Sequence, residues 1–176
     1  NPHNPMPAVR ALLLALDEWV AKGTAPPPSR VPTLRDGTLV EPDKTGFPAI
    51  AGAAVVKVTN KVRAGSNVYR TLVAKVDADG NEVAGIRLPD IAVPLATYTG
   101  WNEYKPPYPK GEIADRDGSY FAFPADKIAA RYGNRAAYVA KVQATIEHLK
   151  KDRFLLQEDA DRYIDKARTE ERVPAT

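Results

Sequence analysis

The chain has 176 residues, 44% of them hydrophobic, which is enough to bury a core and too much for a chain disordered throughout. Lysine and arginine total 25 against 22 aspartate and glutamate, with the signs interspersed, which argues against a dedicated nucleic-acid binder. There is no cysteine, so disulfides, thiolate nucleophiles and thiolate metal sites are excluded together.

The opening NPHNPMP reads as an extended, proline-stiffened connector. Residue 1 is Asn rather than Met, and the expectation is that the chain continues a longer polypeptide. Pro7 suits the first turn of a helix, where its missing N–H costs nothing. Ala8, Val9, Leu12, Leu13, Leu16, Trp19 and Val20 then recur at spacings of three and four, and Gly23 supplies the stop. Asp17, Glu18 and Lys22 fall on the other side, so residues 1–23 form a connector and a surface helix whose apolar stripe needs a partner. The run ALLLAL is followed at once by acids and lacks a cleavage site, so it is a helix face and not an export signal. No stretch approaches the ~20 apolar residues of a membrane span, and the chain is expected to be soluble.

Residues 24–52 are dense in proline and glycine and predict a long coil. So long a coil either wraps a neighbouring part or contributes to a site, and the prolines favour wrapping over a catalytic lid. Residues 53–101 are strand-like. VVKVTNKV and YRTLVAKV alternate apolar with polar residues, ADG with Asn81 turns the chain into EVAGIRLP, and VPLATYTGW follows. Three or four antiparallel strands with one wet face are expected there. Residues 102–124 form a second coil, rich in proline and aromatics. In residues 125–176, a short helix over Ala125–Tyr132 ends at Gly133, Asn134 caps a helix over residues 135–153, and QEDADRYIDKARTEER carries acids at its start and bases near its end. Ala137, Val139, Val142, Ile146 and Leu149 are the expected apolar side of the longer helix, and the C-terminus is a helical hairpin. The fold class is α+β.

Few residues carry chemistry. Asp77, Asp79, Asn81 and Glu82 begin like a calcium loop, but glycine stands fourth, as Gly80, and Leu88 occupies the twelfth position, where a bidentate Glu is required. A hairpin turn explains the same residues. His148 sits on a lysine-rich helix without a second ligand at metal spacing, and reads as a solvated histidine. His3 lies in the leader. Ser119 is the one serine remotely placed to pair with a histidine, but no GxSxG is present. No catalytic residue, metal ligand or cofactor site is therefore assigned. The segment PLATYTGWN crowds Tyr98, Thr99, Trp101 and Asn102 at a strand end. Amphipathic aromatics there suit a pocket wall, and equally a cover over the core.

The phrases RALLLALDEWVAKGTAPPPSRVPTLRDGTLV, VDADGNEVAGIRLPDIAVPLATYTGWN, GSYFAF, RYGNRAAYVAKV and LLQEDADRYIDKA together resemble the C-terminal part of the "alpha/beta hydrolase domain" proteins, a group of bacterial, often exported, esterase-like enzymes. The resemblance runs from about Arg10 to Ala167. It implies that the chain is the C-terminal portion of an α/β-hydrolase-like enzyme, located in the periplasm or secreted. Its partner is the N-terminal catalytic part of the same protein, and its substrate a small ester. In such proteins the triad precedes the segment matching residue 10 onward. His3 does not match the family's histidine motif, and Asp90 belongs to the RLPD phrase, so neither is given a triad role. Tyr98, Thr99, Trp101 and Asn102 are the residues expected to border the substrate pocket. The alternative is a non-enzymatic module that docks a partner through its aromatic, proline-rich coils.

Overall fold

A computed structural model describes residues 1–54, 63–64, 67–68 and 71–176. The chain divides into two compact units, one of residues 30–85 and 96–121 together with Asn1, the other of residues 2–29, 86–95 and 122–176.

The second unit is helical and holds the hydrophobic core. Helix α1 spans Met6–Lys22, with proline in its first turn. Gly23, at φ 70°, closes it by donating its N–H to the Trp19 carbonyl (3.0 Å), while the Thr24 N–H reaches Glu18 (3.3 Å). EVAGIRLP, residues 82–89, was expected to be a strand, but it keeps only a bridge from Glu82 to Val76, and its last residue, Pro89, opens a short helix α2, Pro89–Ala92. Proline in its first turn explains the difference, since it favours helix entry and removes a ladder donor. Helix α3 spans Ala125–Tyr132 and α4 spans Arg135–Lys151, where the Asn134 side chain accepts from the Ala137 N–H at 2.9 Å. Helix α5, Gln157–Arg168, begins with Glu158 and Asp159 and ends with Lys166 and Arg168, matching the helix dipole.

Helices α4 and α5 pack together as a hairpin. Tyr138, Val142, Ile146 and Leu149 of α4 are buried with Phe154, Leu155, Ala160, Ala167, Leu88, Ile128 and Val173. Ala137, expected in this face, is exposed, and Tyr138 takes its place. The tyrosine ring meets Tyr132 edge-on at 5.0 Å, and the Tyr132 hydroxyl donates to the Pro94 carbonyl at 2.7 Å. Burial drives the Tyr138 phenol well above its usual range.

The apolar residues of α1 divide unexpectedly. Pro7, Ala8, Ala11 and Ala15 are buried. Leu12, Leu13, Leu16, Trp19 and Val20, most of the stripe that the sequence marks, are exposed, Val20 at 79%. Small residues let the helix backbone approach its neighbours and leave the bulky side chains on the other face. Arg10 ties α1 to α5, its Nε donating to Asp159 at 3.0 Å and its Nη2 to the other carboxylate oxygen. At the far end of α1, Arg153 donates to Glu18 and to the Ala25 carbonyl, both at 2.7 Å.

The first unit contains short strand pairs. Strand β1, Leu39–Val40, pairs antiparallel with β4, Val73–Ala74. Strands β2, Arg63–Ala64, and β3, Asn67–Val68, form a second antiparallel pair. Strand β5, Ala96–Thr99, pairs with β8, Ser119–Ala122. Strand β6, Asn102–Glu103, pairs antiparallel with β7, Ile113–Ala114. Three or four consecutive strands were expected within residues 53–101, whereas β1 and the partners of β5 and β6 come from the two stretches expected to be coil. VVKVTNKV, residues 55–62, lies outside the described residues. Among the described residues no helix is long and apolar enough to cross a membrane.

The Arg10 hydrogen bonds hold the Asp159 carboxyl below its ordinary range, against the opposing effect of burial. Because the folded pKa is depressed, this contribution is present above the unfolded value near pH ~4 and is lost as pH falls through the folded value. Arg10→Met is expected to lower the urea midpoint at neutral pH and to flatten its decline below pH ~4. An unchanged acid limb in the variant would show that the pair is not the source.

Candidate functional site

The first unit contains a cleft of about 330 Å³. Its wall is assembled from three places in the chain: Pro42, Thr45 and Phe47; Val73, Ala74 and Val76; and Tyr98, Thr99 and Trp101. Gly80 and Glu82 complete one side, and Ala54 touches it. The lining is chiefly apolar and aromatic, as small-molecule pockets are.

A polar clasp positions β5 against this cleft. Asp77 caps the turn that follows β4, its Oδ1 accepting from the N–H groups of Asp79 and Asn81, both at 3.0 Å. The Gly80 N–H reaches the Asp77 carbonyl at 3.0 Å, and Asp77 and Asn81 bond through their backbones at 2.8 Å. Thus the acidic stretch that superficially matches a calcium loop is a turn. Asn81, only 1% exposed, turns its amide toward β5, donating to the Ala96 carbonyl at 3.0 Å and accepting from the Tyr98 N–H at 2.9 Å. The Thr97 hydroxyl donates back to the Asp79 carbonyl. Two backbone groups of one β5 edge are therefore satisfied by a side chain in place of a strand.

Glycine at position 80 is required twice over. Its φ is +80°, and a Cβ there would stand 2.9 Å from Thr97 Cγ2 and 3.1 Å from the Phe47 ring. The Phe47 ring thus lies against the turn backbone, which fixes one cleft wall.

The four residues expected to border a pocket separate into two roles. Tyr98, Thr99 and Trp101 line the cleft, with the Tyr98 ring edge-on to Tyr120 at 5.4 Å. Asn102 stands beside them and works as a tie. Its Nδ2 donates to Ser119 Oγ at 2.7 Å and to the Gly52 carbonyl at 2.9 Å, while its Oδ1 accepts from the Ala54 N–H at 2.9 Å. Thr99 Oγ1 accepts from the Ser119 N–H at 2.9 Å. Phe47 and Pro42 were not singled out from the sequence, and Glu82 was named there only as part of the calcium-like stretch. The one available signal was Phe47 as a lone aromatic inside a proline-rich coil, which is weak.

Each group with catalytic potential has a partner within its own unit. Ser119 accepts from Asn102. His148 Nε2 lies 3.2 Å from Asp152 on the same exposed helix face. In the helical unit His3 Nδ1 stands 3.9 Å from Asp90, whose carboxylate also accepts from Lys166 Nζ at 2.8 Å. Burial pushes the Asp90 carboxyl up, but His3 and Lys166 together outweigh it and hold the group below the ordinary range. Among the described residues no group of three or more His, Asp or Glu side chains could hold a metal ion.

A family model described as "Alpha/beta hydrolase domain" matches residues 1–165. The chain belongs to this family. No curated protein and no solved structure matches it. Membership in the alpha/beta hydrolase domain family points to a hydrolase-type function.

Asn81→Ala is expected to lower stability by about 2–3 kcal/mol by stranding the Ala96 carbonyl and the Tyr98 N–H. Gly80→Ala should cost about 2–4 kcal/mol through the positive φ and the contact with Phe47. Both are read as shifts in urea midpoint, and a change under ~0.5 kcal/mol in Asn81→Ala would show that the clasp does not hold β5.

Proposed function

We propose that this chain forms part of a serine-type carboxylic ester hydrolase, in which residues outside these 176 supply the nucleophile, the acid and the histidine. In this reading the cleft of Tyr98, Thr99 and Trp101 borders the substrate pocket. The observation that carries it is the family match over residues 1–165, in a sequence that has no GxSxG and whose Ser119 hydroxyl is bonded to Asn102. The chemistry is that of such hydrolases. A serine oxygen attacks the ester carbonyl, the histidine takes its proton and passes it to the departing alcohol, and backbone N–H groups hold the oxyanion until water releases the acid.

The exposed bulky face of α1 supports the same reading. Leu13, Leu16, Trp19 and Val20 form an apolar surface of the kind that packs on another part of a protein, here the N-terminal catalytic part. A second reading, a non-enzymatic module that docks a partner, is favoured by one feature. Tyr104 and Tyr108 stack at 4.4 Å in the proline-rich stretch, and Tyr108 is 52% exposed.

A fluorophosphonate label separates the two. Applied to the intact protein, it is expected to modify a serine outside residues 1–176, with hydrolysis of p-nitrophenyl acetate lost in parallel. Labelling of Ser119, with activity abolished by Ser119→Ala, would overturn the placement of the triad. No labelling and no hydrolysis at all would favour the docking module.

A further inference from the structure

The walls of the cleft in the first unit share one electrostatic character. Phe47, Tyr98 and Trp101 bring aromatic rings, whose faces are negative, and Val73 and Val76 bring only hydrocarbon. Glu82 brings a carboxylate, and no Lys, Arg or His is among the described lining residues. Among the described residues no hydrogen bond or ion pair engages that carboxylate, although Glu82 is exposed and its backbone is bridged to Val76. A neutral ligand would gain burial and the hydroxyls of Thr45 and Thr99 but no charge partner, and an anion would be repelled by Glu82. An organic cation gains three ways: its hydrocarbon is buried, its charge lies among three aromatic side chains, and Glu82 supplies the counter-charge. The volume of about 330 Å³ lies at the small end of ligand pockets, ~300–1,000 Å³, and suits one compact group rather than a polymer.

We propose that this cleft is a binding site for an organic cation, an alkylammonium or arylalkylammonium group, held by Phe47, Tyr98 and Trp101 with Glu82 as its counter-ion. The inference rests on the reading of the cleft as a ligand pocket. In a hydrolase it would select ester substrates that carry an amine on the portion seated there, and binding itself requires no chemical step.

Titration calorimetry of the intact protein with three probes of similar shape tests it: benzyltrimethylammonium, benzyl alcohol and phenylacetate. The cation is expected to bind most tightly and phenylacetate least. Glu82→Gln, a conservative change at an exposed position, should weaken the cation about fivefold, with benzyl alcohol unchanged. Trp101→Ala should weaken the cation and the alcohol together. Phenylacetate binding as tightly as the cation, or Glu82→Gln binding it undiminished, would overturn the charge selectivity while leaving an apolar pocket in place. Failure of all three probes to bind would remove the ligand pocket itself, and the cation with it. Cation binding in a protein that takes no fluorophosphonate label would sustain this site and sink the ester-hydrolase reading.

Discussion

The amide of Asn81 governs the first unit. With few buried apolar side chains of its own among the described residues, this unit depends on directional bonds to fix where its aromatic residues stand. An unmade hydrogen bond at the fully buried Ala96 carbonyl would be costly, so the turn that delivers Asn81 and the strand that receives it are mutually constrained. The cleft follows from that constraint. Tyr98 is aligned by its own backbone N–H on Asn81 Oδ1, and Phe47 by its ring against Gly80.

The second unit is held differently. Its core is a continuous cluster from Ala8 to Val173, in which helix faces interlock and a few ion pairs set the register of the long elements. Arg10 with Asp159 and Arg153 with Glu18 both tie α1, one to α5 and one to the turn before it. They hold the alanine side of α1 inward. The leucines, Trp19 and Val20 stay outward as a consequence, and that choice gives the hydrolase reading a surface on which a catalytic part can sit.

Much of the helical half was legible in advance. Gly23, Gly133 and Asn134 stop or start helices by local chemistry, and α3 has the bounds its sequence indicates. Local signals failed for the strands. LV and SYFA lie in stretches whose prolines and glycines read as coil, yet they pair with strands that begin or end twenty or more positions away, while EVAGIRLP alternates like a strand and leads into α2. Short strands are set by which edge happens to be free, and a two-residue partner leaves almost no periodicity to detect. The site was half visible: Tyr98, Thr99 and Trp101 announced themselves as clustered amphipathic residues, whereas Phe47, Val73 and Glu82 reach the cleft only by tertiary approach.

By itself the sequence determined the absence of thiol chemistry among these residues, the starts of the C-terminal hairpin helices and the resemblance that the family match over residues 1–165 supports. Each depends on residue identity or on neighbours within a few positions, where capping and helical period act. Tertiary structure alone decided that Asn102 braces Ser119, that Asn81 substitutes for a strand beside β5, and that α1 buries its alanines in place of its leucines. Those outcomes turn on which of several equally capable groups finds its partner across the fold, and no local pattern encodes such a choice.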